Sequence, residues 1–145
     1  MKANLCRKLM ATHNGLSPLI LRVPVGIVLI PHGAQKLFGW FGGGGLQGTG
    51  RWMASIGLEP GMLMALLAGS MEFFGGIALL IGLLTRLVGL ALAFQMLIAI
   101  LFVHLGKGLF VSEGGWEYAL VLLAAGLSLM VSGGGRFSVD GRCSC

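Results

Sequence analysis

A small set of polar side chains lies inside stretches of sequence that are otherwise apolar. Charged groups at membrane depth cost roughly 2.5–3.5 kcal/mol each on insertion scales, so each one requires a partner or a function. A carboxylate beside basic or imidazole groups can form a buried ion pair, relay protons or help to bind a polar ligand group. The candidates for such a ligand-binding or buried polar cluster are Arg22, His32, Gln35, Lys36, Glu72, Gln95 and Glu117.

Glu72 is the central candidate because small residues surround it at helical spacing. Gly69 precedes it by three residues and Gly76 follows it by four. Such spacing gives a smooth helix face along which another helix can approach closely. We therefore expect Glu72 to point into a helix bundle rather than toward lipid.

The first apolar segment supplies the possible partners of Glu72. Arg22, His32 and Lys36 fall within an arc of about 80° on a helix, and both an Arg22–Glu72 ion pair and a His32–Glu72 hydrogen bond are feasible. One interpretation is a buried pair that fixes the helix register. Another is a polar pocket that binds a headgroup such as a quinone carbonyl or relays protons. In a third, the charges are unpaired and extend to the membrane surface.

The remaining polar positions have simpler interpretations. Gln95 is expected to hydrogen-bond between helices, and Glu117 to lie favourably at the N-terminus of a helix. Cys143 and Cys145 form only a weak C-x-C motif, so no metal site is predicted. No span carries two histidines at a spacing that would hold haem or a di-iron centre. The sequence therefore supplies no self-sufficient active site, which leaves enzymatic activity open.

Four apolar segments must position these residues. The 145-residue chain is 56% hydrophobic and only 10% charged, with a mean hydropathy of +0.91, whereas a soluble domain carries about 25% charged residues. Helical spans of about 20 apolar residues are predicted at residues 16–38, 61–84, 87–106 and 117–132. The predicted fold is an all-α membrane protein, a four-transmembrane-helix bundle with a short interfacial segment between helices 1 and 2.

The predicted organisation is one transmembrane domain at residues 16–133, between an N-terminal tail at 1–15 and a C-terminal tail at 134–145. In the connection between the first two spans, the glycine run at 42–45 is expected to be flexible. The second half of that connection is expected to form a helix on the outer leaflet, with Trp52, Met53 and Ile56 dipping into the lipid.

The distribution of basic residues predicts the orientation in the membrane. Six Lys and Arg residues fall on the side that holds both termini and three on the other, which favours cytoplasmic termini. The cysteines then lie in a reducing compartment, where structural disulfides are rare. No basic stripe with interleaved aromatic residues is present, so a nucleic-acid partner is not predicted. The six residues are Lys2, Arg7, Lys8, Arg86, Arg136 and Arg142.

Three ordered blocks of sequence resemble the DoxX family of bacterial membrane proteins. The blocks are similar to the family patterns H-G-x-Q-K-L-F-G, E-F-x-G-G…G-L-x-T-R and G-x-E-Y-x-L…G-P-G-x-x-S-L-D. Gly134 stands where the family usually has proline. In this chain they are HGAQKLFG at residues 32–39, EFFGG…GLLTR at 72–86 and GWEYAL…GGGRFSVD at 115–140.

The resemblance implies a multi-pass protein of the bacterial inner (plasma) membrane. It implies an accessory subunit of a quinone-linked redox system, at most an oxidoreductase subunit, that binds a quinone or another lipophilic molecule between helices. Expected partners are the lipid bilayer and soluble or membrane redox proteins, and a homo-oligomer is also compatible. The alternative is a non-enzymatic scaffold, chaperone or small-solute carrier. The resemblance also draws attention to Arg86 and Asp140, which are expected to pair and to tie the C-terminal tail under the bundle.

Overall fold

Three helices of the chain are long and apolar enough to cross a bilayer, and a fourth apolar helix of 16 residues packs beside them. The computed structural model describes Lys8 and residues 10–143, and within these residues the secondary structure is helical with no strand. The predicted all-α bundle is thereby confirmed. The helices are α1 (Ser17–Phe38), α2 (Gly45–Ser55), α3 (Gly61–Ile81), α4 (Thr85–Ala99), α5 (Glu117–Ser132) and α6 (Val139–Cys143).

The fourth helix of the chain, α4, changes helical type before it ends. It continues as a π-helical turn at Ile100–His104 and a 3₁₀ turn at Leu105–Lys107, so that the span Thr85–Lys107 has 23 residues. Two further 3₁₀ turns lie in the connections, at Trp40–Gly42 and Val111–Glu113. The spans of the sequence prediction thus agree closely with the helices of the structure.

Two antiparallel helix pairs, α1 with α3 and α4 with α5, build the bundle. Each pair meets where glycines face each other. A Cβ atom added to Gly26 would lie 2.7 Å from the carbonyl oxygen of Gly76, and one added to Gly89 would lie 2.6 Å from that of Gly126. These backbones approach more closely than any side chain would allow, as small residues permit in membrane helices.

The core lies between the two helix pairs, and the outer surface is strongly apolar. Large side chains such as Ile20, Phe94 and Val121 are 62–71% exposed. In a bilayer these outward residues meet lipid, which requires no polar cover. All four long helices contribute to the buried core of Val25, Leu29, Leu79, Leu92, Met96, Leu122 and Leu129.

Helix α2 packs against α3 on one face and is exposed on the other. Gly50 of α2 and Gly61 at the start of α3 are so close that no Cβ would fit between them. Trp52 is 45% exposed, as expected of a residue facing the leaflet, but Met53 is 6% exposed and faces the bundle. The expectation that Met53 dips into lipid is therefore wrong. Within the glycine run at 42–45, Gly43 is tightly packed on the backbone of Gln35, whereas Gly42 has open space around it.

The position of α2 sets the register between α1 and α3. Gly69 of α3 contacts Leu37, at the end of α1, so the first two turns of α3 extend beyond α1 and meet α2 instead. This offset is about seven residues, or about 10 Å at 1.5 Å per residue. Glu72 consequently lies opposite the outer end of α1, a displacement that decides which residue becomes its partner.

Residues 134–143, predicted as a tail, pack against the end of the bundle. Ser138 and Asp140 are only 1–2% exposed. The backbone N–H of Arg136 donates to the carbonyl of Gly15, and that of His13 donates to Ser132. The segments before α1 and after α5 therefore meet at the same end of the molecule.

Candidate functional site

The carboxylate of Glu72 lies between three helices and is the most enclosed acidic group near the outer half of the bundle. The residue is 4% exposed. The Nζ of Lys36 on α1 lies 2.6 Å from its Oε2, and the Nε2 of Gln95 on α4 donates to its Oε1 at 2.6 Å. Each oxygen thus has one side-chain donor, and we call Lys36, Glu72 and Gln95 the carboxylate cluster.

The partner of Glu72 differs from both sequence predictions. It is Lys36, and neither Arg22 nor His32 hydrogen-bonds to Glu72. The register offset explains this, since α3 is displaced outward and brings Glu72 level with the last turn of α1. His32 faces the exposed side of α1, so the expected His32–Glu72 hydrogen bond is wrong.

The carboxylate cluster is open on one side. The side chain of Lys36 is 24% exposed, whereas that of Glu72 is 5% exposed. Phe38 and Phe73, on the same two helices as the pair, pack their rings edge to face with centroids 5.3 Å apart. A charged pair that is reached through Lys36 on an otherwise apolar surface has the mixed polarity common in small-molecule sites.

Tyr118 of α5 is a member of this neighbourhood that the sequence analysis missed. The residue lies within electrostatic reach of Glu72 and is 42% exposed. Its sequence signal is its place one residue after Glu117, at the first turn of the fourth apolar segment. With Tyr118, all four long helices contribute a polar side chain near Glu72.

Gln35 and Glu117 do not join the carboxylate cluster. The Nε2 of Gln35 donates to the carbonyl of Phe41 at 3.4 Å, and the Oε1 of Glu117 accepts the backbone N–H of Val111 at 2.7 Å. Glu117 does lie in the first turn of α5, as predicted. Both residues therefore organise the connections at this end of the bundle rather than the ligand-binding cluster proposed for them from the sequence.

Arg22 lies at the opposite end of α1, fully buried among backbone carbonyls. Its Nη1 donates to Leu79 at 2.7 Å and Leu80 at 2.6 Å, its Nε to Gly134 at 2.9 Å and its Nη2 to Phe137 at 2.9 Å. Leu79 and Leu80 belong to the last turn of α3, where carbonyls lack their usual i+4 partners and carry negative partial charge. The Leu79 carbonyl also accepts the N–H of Gly82 at 3.2 Å. Arg22 therefore caps α3 and holds the C-terminal segment.

The turn between α3 and α4 is held by the carboxylate of Asp140. Both oxygens of Asp140 accept backbone N–H groups at the start of α4, from Leu84 at 2.7 Å and Thr85 at 2.8 Å. Arg22 lies within electrostatic reach of Asp140. Arg22 and Asp140 thus clamp the α3–α4 turn from both sides, and we call them the turn clamp.

Comparison with known proteins places the fold in a family. The family model described as DoxX matches residues 17–105, well over half of the chain. The chain belongs to the DoxX family. The predicted family resemblance is confirmed, and the matched residues include Arg22, Lys36, Glu72 and Gln95 but end before Tyr118 and Asp140.

Curated relatives of this DoxX protein are similar over most of their length. The chain is 34% identical over 122 residues to "Putative oxidoreductase CatD" of Bacillus subtilis, covering 84% of this chain and 82% of the relative. It is 32% identical to "Inner membrane protein YqjF" of Escherichia coli, covering 84% and 88%. It is also 33% identical to "Uncharacterized membrane protein Rv3486" of Mycobacterium tuberculosis, covering 88% and 82%. No solved structure matches the chain.

The predicted Arg86–Asp140 pair does not form in this DoxX protein. Arg86 donates instead to the carbonyl of Ala11 at 2.5 Å and to that of Met130 at 3.3 Å. Asp140 is directed at the α4 amides, which occupy both of its oxygens. The C-terminal segment is tied under the bundle as expected, but the turn clamp holds it.

Metal ligation receives no support from the described residues. Within Lys8 and residues 10–143, no three His, Cys, Asp or Glu side chains are grouped so that they could hold an ion. Cys143 is exposed and makes no disulfide. Cys145, its partner in the weak C-x-C motif, lies outside the described residues.

Proposed function

We propose that this DoxX protein is an accessory membrane subunit of a quinone-linked redox system and that it binds a quinone, or a similar lipophilic carbonyl compound, at the carboxylate cluster. The observation that carries the proposal is the buried Glu72, held by Lys36 and Gln95 at 2.6 Å each. The redox centre itself is assigned to a partner protein. The name of one relative, "Putative oxidoreductase CatD", supports this direction.

The chemistry of the cluster suits a ligand with carbonyl oxygens and an apolar ring. An ammonium group has three donors, so Lys36 can donate to a ligand carbonyl while it remains paired with Glu72. Phe38, at the end of the same helix as Lys36, is 50% exposed and offers a ring for an apolar contact. The proposal assigns the ligand's headgroup to Lys36 and its ring to Phe38, with its apolar tail along the lipid-facing surface.

Quinone content after purification tests this proposal. The protein is purified in a mild detergent, extracted with organic solvent and assayed for quinone per polypeptide by mass spectrometry. We expect quinone with the wild type and a loss of at least tenfold with Glu72→Gln or Lys36→Met. Glu113→Gln, which changes an exposed carboxylate outside the cluster, is the matched control and should retain the quinone.

The same experiment separates the two classes of function. A protein that carries no quinone, yet retains its partner proteins regardless of Glu72, would overturn ligand binding and favour the non-enzymatic scaffold or carrier. Equal quinone in the wild type, in Glu72→Gln and in Lys36→Met would place any quinone elsewhere.

We also propose that both termini face the cytoplasm. The terminal segments meet at one end of the bundle, through the contacts of His13 with Ser132 and of Arg136 with Gly15. By their order in the sequence relative to the spans, six basic residues are assigned to that side and three to the other, the bias expected of a cytoplasmic side. A C-terminal fusion to green fluorescent protein should fluoresce, and one to alkaline phosphatase should be inactive. The reverse pattern would overturn the orientation.

A further inference from the structure

A cavity of about 460 Å³ opens at the end of the bundle that carries both terminal segments, away from the carboxylate cluster. It lies where α1 begins and α5 ends, which is the level of lipid headgroups for helices that cross the hydrocarbon core. Hydroxyl, amide and guanidinium side chains line it together with one aromatic ring. Its lining includes Thr12, Asn14, Arg136, Phe137, Ser138 and Arg142.

The two arginines of this cavity have their donors available. Arg136 stacks on the ring of Phe137, with its Cζ 5.9 Å from the ring centroid, and both arginines are exposed. Among the described residues, no hydrogen bond or ion pair engages either guanidinium. The nearby acid, Asp140, is buried and has both oxygens occupied by amides of α4. The cavity therefore presents positive charge that no acidic group among the described residues neutralises.

The ring of Phe137 is held outward by a backbone that few bulky residues adopt. Its φ is +57°, in the left-handed region, and the residue is 70% exposed. Such a conformation persists where the surroundings impose it. Here Arg22 donates to the Phe137 carbonyl, which locks the segment. A guanidinium pair beside an outward aromatic ring matches a phosphate next to an acyl chain.

We propose that this cavity binds the phosphate group of an anionic phospholipid through Arg136 and Arg142, with Phe137 against the glycerol and upper acyl chain. Arginine guanidinium groups bind phosphate oxygens with paired hydrogen bonds. The hydroxyl groups of Thr12 and Ser138 are already engaged with backbone groups, so the two arginines supply the recognition. The site is independent of the carboxylate cluster and of quinone binding.

Thermal unfolding of the full chain in detergent, with added lipid, tests the site. Phosphatidylglycerol should raise the melting temperature of the wild type, and phosphatidylcholine, whose headgroup cation would face the arginines, should not. Arg136→Gln/Arg142→Gln should weaken the apparent affinity for phosphatidylglycerol by more than about tenfold, because each basic group near an anionic lipid surface contributes about fivefold and the two factors multiply. Arg51→Gln/Lys107→Gln removes the same charge from the other end and should leave the shift intact.

Two further measurements identify the source of the phosphate and guard against a folding defect. Phe137→Ala should reduce the shift with phosphatidylglycerol, whereas an equal, arginine-dependent shift with inorganic phosphate would support the same site with a free anion as its ligand. Native mass spectrometry of the wild type with equimolar lipids should show phosphatidylglycerol adducts in preference to phosphatidylcholine. Equal adducts of both lipids, or equal loss of the shift in the two double variants, would overturn the proposal.

Discussion

Arg22 and Glu72 are both buried in the α1–α3 pair, but their partners differ in kind. Arg22 is surrounded by backbone carbonyls from the end of α3 and from residues 134–137, and it is 0% exposed. Glu72 is bound only by side chains, and its cation partner Lys36 is partly exposed. A charge bound to the backbone cannot exchange partners without unfolding a turn, whereas a charge bound to side chains can.

This difference separates a structural site from the proposed ligand site within one helix pair. The turn clamp closes the α3–α4 turn by placing a cation at the C-terminus of one helix and an anion at the N-terminus of the next, which matches both helix dipoles. The carboxylate cluster closes no turn. Its members join separate helices, so it has room to respond to a ligand.

Arg22→Leu should have the largest effect on the stability of the protein. It would remove the guanidinium donor from four backbone carbonyls, of which that of Leu79 keeps the N–H of Gly82, and leave Asp140 without its nearby cation. We therefore expect a loss of about 3–5 kcal/mol in unfolding free energy. Arg22→Lys should rescue little, because one ammonium group cannot reach all four oxygens. The measurement is the melting temperature from tryptophan fluorescence in detergent. An unchanged melting temperature in Arg22→Leu would contradict the clamp.

Asp140→Asn should have the next largest effect. An asparagine side chain has one acceptor oxygen, so one of the two amides at the start of α4 would face an NH₂ group and lose its partner. We expect a loss of about 2–3 kcal/mol. Glu113→Gln, at an exposed acid, is the control and should change the melting temperature little. Similar melting temperatures for the two variants would show that Asp140 does not support the turn.

Substitutions of Lys36 and of Glu72 should lower the stability by different amounts. Lys36→Leu strands the buried Glu72 carboxylate and should cost about 2 kcal/mol, more than Glu72→Leu, after which Lys36 can still reach water. The double variant Lys36→Leu/Glu72→Leu should recover most of the stability but should not bind quinone. A double-mutant cycle on thermal stability measures the coupling. If Glu72→Leu lowered the stability more than Lys36→Leu, the partial exposure of Lys36 would not determine which substitution is the more destabilising.

Gln95→Leu should have the smallest effect on stability. Hydrogen bonds between membrane helices contribute about 0.6 kcal/mol on average, and Glu72 would keep its contact with Lys36. The quinone content, by contrast, should fall if Gln95 sets the position of the carboxylate. The two readouts, melting temperature and bound quinone, are measured on the same preparation. A large drop in melting temperature with unchanged quinone would make Gln95 a structural residue.

Local spacing along the chain was enough to predict much of this molecule. The apolar spans, the inward direction of Glu72 between Gly69 and Gly76, and the interhelical hydrogen bond of Gln95 all follow from helical periodicity and composition. Each of these features depends on residues within a turn or two of one another. Their physical cause is therefore contained in a short piece of sequence.

The partners of the charged residues required the tertiary structure. Lys36 meets Glu72 because α2 occupies the outer end of the bundle and displaces α3 by about two turns. The spacing of residues along one helix cannot predict such an offset between two helices. The acceptors of Arg22 include carbonyls more than 100 residues away in sequence, and backbone carbonyls leave no residue-type signature. The sequence by itself determined the membrane fold and the inward direction of Glu72. Only the packing decided their partners, because each partner is set by the three-dimensional register of helices distant along the chain.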